Sequence, residues 1–179
     1  DVLVLTKAIG SGVITTAAKA GTAPDDVVQN AVDSMSTLNV GAAKSMLEIN
    51  VNSATDVTGF GLLGHLSQMM KASGVSAILD RSAVPMLPGA VELAETGNIS
   101  AGTNRNMESL EDSVSLEPGV SEIDLTLMAD AQTSGGMLIS VPENRADDLI
   151  KSLIANRTLY SEVVGRVIAK RSANVYIRP

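Results

Sequence analysis

The chain has 179 residues, a formal net charge of -7, 45% apolar and 2% aromatic residues and no cysteine. That length suits one domain with its own core. The acidic balance argues against a nucleic-acid surface, and the missing thiols exclude disulfides, thiolate zinc sites and cysteine nucleophiles.

No apolar run approaches a bilayer span, and the N-terminus lacks a signal-peptide pattern, so a soluble, cytoplasmic protein without membrane contact is expected. The chain enters at Asp1 directly into an apolar run, as a segment of a longer protein would. Val2 to Thr6 is predicted as a buried strand, and Gly10-Ser11-Gly12 leads into a short helix over Val13 to Lys19. This glycine pair suits either a structural turn or a phosphate contact on exposed amides. Pro24-Asp25-Asp26 opens a helix to about Leu38, and a second helix over Val40 to Ile49 has Asn39 as its cap.

Val51 to Val57 is predicted as a strand, and Phe60 to Ser73 as a helix stopped by Gly74, with Leu62, Leu63, Leu66, Met69 and Met70 on its buried face. Between them lies the stretch around which the rest is organised, Ala54 to His65, which holds the only Phe and the only His of the chain. Asp56 falls at the strand end, where its carboxylate can meet a ligand. With Thr55 and Thr58 nearby it is the best candidate for half of a magnesium–phosphate corner, because magnesium takes one or two protein carboxylates and completes its sphere with water and phosphate. His65 is either a boundary residue or a base.

Val75 to Leu79 follows as a strand, Val84 to Pro88 as an extended connector and Pro88 to Thr96 as a short helix. Asn98 to Gly119 is the most polar stretch and is expected to be irregular. Within it, Gly102-Thr103-Asn104-Arg105-Asn106 reads as a loop that either holds an anion or is a solvated turn. Glu122 to Ala131 is predicted as a helix. Gln132 to Gly136 is a tight loop, structural or ligand-facing, before the strand Met137 to Val141. A helix to Ala155 follows, and Tyr160 to Lys170 with Asn174 to Ile177 is expected to close the chain as a hairpin. Five or six strands interleaved with helices make an α/β or α+β layered domain.

Thr55-Asp56-Val57-Thr58-Gly59-Phe60-Gly61-Leu62-Leu63-Gly64-His65 resembles the signature of selenophosphate synthetases. Asp1 to Lys7 with Gly10-Ser11-Gly12, the Gly102 to Asn106 stretch and Asp130 to Gly136 are similar to three further motifs of that family, in the same order. Ala131 stands where the family usually has Pro, and Ala101 where it often has Gly. The resemblance implies a three-layer α/β/α domain with a mixed sheet, over residues 1–179, as the C-terminal domain of a two-domain enzyme of the aminoimidazole-ribonucleotide-synthetase-like superfamily. It further implies transfer of phosphate from ATP to selenide, with Mg2+ and a monovalent cation, in a homodimer. The chain's own N-terminal domain would supply most of the ATP site and the nucleophile, so no catalytic residue is expected here. Asp56 is the implied magnesium ligand, and Thr103 and Asn106 are the implied cofactor-binding residues. The alternatives are another enzyme of the superfamily, or a non-catalytic binding or dimerisation module.

Overall fold

Alternation along Val2–Leu5, strand β1, puts Leu3 and Leu5 on one face and Val4 on the other, and all three are fully buried. A strand covered on both faces belongs inside a layered sheet. The structure, a computed structural model, describes residues 1–110 and 112–179. The other strands are β2 (Ser53–Asp56), β3 (Ser76–Asp80), β4 (Val114–Leu116), β5 (Met137–Val141), β6 (Glu162–Ile168) and β7 (Val175–Arg178). Their order is β2-β5-β1-β6-β3-β7-β4. Neighbours from β2 to β3 pair antiparallel, whereas β7 runs parallel to both β3 and β4, so the sheet is mixed.

The helices are α1 (Ser11–Ala20), α2 (Asp25–Ser36), α3 (Val40–Ile49), α4 (Gly61–Ser73), α5 (Ala90–Glu95), α6 (Ala101–Leu110), α7 (Glu122–Ala129) and α8 (Ala146–Ala155). On one face of the sheet, Leu3, Leu5, Leu79 and Leu138 pack against Leu62, Leu63, Leu66 and Met70 of α4 and Met128 of α7. On the other, Val4, Ile139 and Val141 meet Ala42 and Ile49 of α3 and Leu149 and Leu153 of α8. The result is the three-layer α/β/α arrangement. A third cluster joins Val13, Ile14 and Ala17 of α1 to α2, α5 and Leu127 of α7.

Three expectations are corrected. Among the described residues the sheet has seven strands, and the last two are not a hairpin, because β3 lies between them. The segment joining them wraps the start of β3: the Ser76 hydroxyl donates to the Ala173 carbonyl (2.7 Å) and accepts from the Arg171 amide (3.0 Å). Second, the polar stretch after Asn98 is not irregular. Ser100 accepts from the Thr103 amide at 3.1 Å, the bond of an N-cap, and α6 follows before β4. Third, Asn39 does not cap α3; its side chain donates to the Gly135 carbonyl at 2.9 Å.

Candidate functional site

Edge strand β2 has one neighbour, β5, and its last residue, Asp56, sits opposite Met137. Asp56 is exposed, while Val57 beside it is fully buried and donates its amide to the Gly136 carbonyl at 2.8 Å. The chain then turns: the Thr58 carbonyl accepts from the Gly61 amide (2.9 Å) and from the Gln132 amide (3.0 Å). Gly61 takes φ 69°, and a Cβ there would lie 2.6 Å from the Ala129 carbonyl group, so both backbone shape and space require glycine. α4 starts immediately, with Phe60 left 56% exposed at its head.

The side chains around Asp56 follow from this turn. The Thr58 hydroxyl and His65 Nε2 share a hydrogen bond of 3.2 Å, and the Phe60 ring tilts against the imidazole with centroids 5.7 Å apart. Partial burial holds the His65 pKa below its ordinary 6.5, and the Asp56 charge works against that shift. The ion pairs of the described residues are Arg81–Asp124 and Arg178–Asp80, so Asp56 has no cationic partner among them.

Behind the turn, the other sequence motifs close on one another. The Gly10 and Ser11 amides donate to Gln132 Oε1 (3.0 and 3.2 Å), and the Gly12 and Val13 amides donate to Asp130 Oδ2 (2.9 and 3.2 Å). The anion at the N-terminus of α1 is thus the chain's own Asp130. A Cβ at Gly12 would collide with the Asp130 carboxylate, so this glycine serves the approach of α1 to Asp130. Thr103, fully buried, donates its hydroxyl to Asp130 Oδ1 at 3.0 Å. Asn106, 7% exposed, donates Nδ2 to the Gly59 carbonyl (2.9 Å) and the Ala129 carbonyl (3.0 Å). Burial pushes the Asp130 carboxyl up from its ordinary pKa, against the pull of bonds from Thr103, Val13, Gln132 and Gly12.

Thr103 and Asn106 therefore point inward, into the joint between α6, α7 and the Asp56 turn. Asp130, Gln132 and Lys7 lie in stretches that the sequence marks as motifs, but none was given a role of its own. Lys7 is 2% exposed and donates to the carbonyls of Ser34 (2.8 Å), Thr37 (2.6 Å) and Ser134 (2.8 Å). Desolvation lowers its pKa. Its sequence signal was a lysine two residues after a fully apolar strand, where it has to find buried partners.

Among the described residues no group of three or more His, Cys, Asp or Glu could hold a metal. Asp56 alone presents a free, hard carboxylate oxygen, which fits one protein ligand of magnesium but not a complete site. No helix among the described residues is long and apolar enough to cross a membrane.

Residues 1–178 match the family model of the AIR synthase related protein, C-terminal domain. The chain is 43% identical, over 99% of its length and 52% of the relative's, to a selenide, water dikinase of Caldanaerobacter subterraneus subsp. tengcongensis. It is 40% identical to selenide, water dikinase 2 of Peptoclostridium acidaminophilum, covering 99% of this chain and 51% of that protein. Among solved structures, the E. coli hydrogenase maturation protein HypE superposes with a TM-score of 0.69 at 14% identity, over 97% of this chain and 45% of that one, a likeness of fold. The chain thus spans about half the length of the curated relatives it matches.

Proposed function

This chain belongs to the AIR synthase related protein C-terminal domain family, and from that premise we propose that it is the C-terminal domain of an ATP-dependent selenophosphate synthetase. The reaction is transfer of phosphate from ATP to selenide, with water, giving selenophosphate, AMP and orthophosphate. Identity of 43% to a selenide, water dikinase over almost the whole chain supports this reading. Since the chain spans about half of such relatives, the ATP site is shared, with its larger part on the protein's own N-terminal domain. The homodimer, the monovalent cation and the cytoplasmic location belong to the same proposal.

The observation that carries the proposal is the exposed, unpaired carboxylate of Asp56, at the tip of an edge strand and on a turn held by bonds from Gln132 and Asn106. Asp56 is the residue that would hold magnesium. A magnesium ion bound at ATP neutralises phosphate charge and orients the transferring group. This chain's own contribution is therefore electrostatic and positional. Thr103 and Asn106 act one layer behind, as positioning residues: with their polar atoms engaged by Asp130, Gly59 and Ala129, they fix where the Asp56 turn stands.

Calorimetry of the 179-residue chain with Mg-ADP, alone and mixed with the separately produced N-terminal domain, tests the shared site. Heat of binding only in the mixture is the expected result. Full binding to the chain alone contradicts a shared site. No binding in either case favours a non-catalytic module.

A further inference from the structure

A groove of about 580 Å3 lies between α4, the end of α6 and the segment that joins β6 to β7. Phe60, Gln68 and Lys71 line its α4 side, and Leu110, Lys170 and Asn174 line the other. We propose that this groove binds a phosphate-bearing small molecule, with the phosphate between Lys71 and Lys170.

The first support is charge. In a chain of net charge -7 with only 13 basic residues, two lysines line one groove, and no carboxylate side chain is among its described lining residues. Lys71 and Lys170 have no acidic partner in the ion pairs of the described residues. A phosphate placed between the two lysines gains charge-assisted hydrogen bonds from both, which are stronger than neutral ones.

The second support is rigidity. Asn174 accepts from the Lys170 ammonium (2.5 Å) through Oδ1 and donates to Ser67 Oγ (3.0 Å) through Nδ2, so one side chain ties the lysine to α4. The backbone around Asn174 is held in turn: its amide donates to the Ser113 carbonyl (2.9 Å), and its carbonyl accepts from the Ala77 amide (2.8 Å). Lys170 is thereby restrained before any ligand arrives, which lowers the entropic cost of binding. Leu110, 5% exposed, supplies an apolar floor, and the exposed Phe60 ring at one end offers a face to a planar group.

The test is isothermal titration of the 179-residue chain in low-salt, magnesium-free buffer, with inorganic phosphate and AMP as separate titrants. Binding of either is expected, weakened about tenfold or more in the Lys71→Ala/Lys170→Ala double variant, with circular dichroism showing that the variant is folded. Asp56→Asn leaves this affinity unchanged, because the groove works without metal. If AMP binds more tightly than phosphate and Phe60→Ala removes the difference, the ligand is a ringed phosphate; equal affinities mean that the phosphate group alone is read. No binding of either titrant at about 10 mM overturns the proposal. So does equal affinity in the double variant, or loss of binding in Asp56→Asn, which would move the ligand to the metal corner. Failure here leaves the shared magnesium site untouched, since magnesium is absent from the experiment.

Discussion

His65 is the only histidine of the chain, so its titration can be followed as a single resonance. Burial disfavours the imidazolium, and the Asp56 charge partly restores it, which leaves the folded pKa below 6.5. In metal-free buffer, NMR titration should give a midpoint under 6.5, and Asp56→Asn should lower it further by removing the favourable charge. A midpoint at or above 6.5, or one indifferent to Asp56, would contradict the geometry. The sign for stability follows by linkage. The unfolded chain takes up this proton first as pH falls, so the stability from neutral His65 is complete above pH 6.5 and declines through and below it. Asp130 makes a separate residue-level prediction. Asp130→Ala leaves the Gly12 and Val13 amides without their acceptor and removes one of two partners from the Thr103 hydroxyl and from Gln132 Nε2, and should cost about 3 kcal/mol in chemical denaturation.

Between elements, the joint is made of side chains that reach across from α6 and from the segment after α7. Asn106→Leu keeps the approximate volume but frees the Gly59 and Ala129 carbonyls, so it should lower stability by about 2 kcal/mol. Its magnesium requirement in the full-length protein should rise while that of a Leu110→Val control, of comparable stability, stays normal. Much of this scaffold was readable from sequence. The apolar spacing of α4 and its stop at Gly74, the buried strand β1 and the turn at Asp56 all follow from local periodicity and turn chemistry. What escaped was non-local. β6 and β7 have hairpin-like sequences, but Ser76 and the rest of β3 compete successfully for the space between them. The stretch holding Thr103 and Asn106 read as a loop, anion-holding or solvated, because its side chains are polar. Their partners, Asp130, Gly59 and Ala129, lie far away in sequence, so burial turned polarity into a joint. The Gly-x-Gly amides at the start of α1 read as either a structural turn or a phosphate contact, and they are taken by the chain's own Gln132 and Asp130.

For the whole molecule, the seven-stranded sheet places Asp56 at one margin rather than in a central cleft, which suits a carboxylate offered to a second domain. Family membership and the half-length match to selenide, water dikinases point the same way. The account stands on Asp56 being an electrostatic group outside the folding core, and its substitution separates chemistry from stability. The direct measurement is magnesium-dependent ATP consumption by the full-length protein carrying Asp56→Asn, with thermal unfolding recorded on the same samples. The account predicts loss of consumption by about a hundredfold or more with stability changed by less than about 0.5 kcal/mol. Wild-type turnover and an unchanged magnesium requirement in that variant would contradict it.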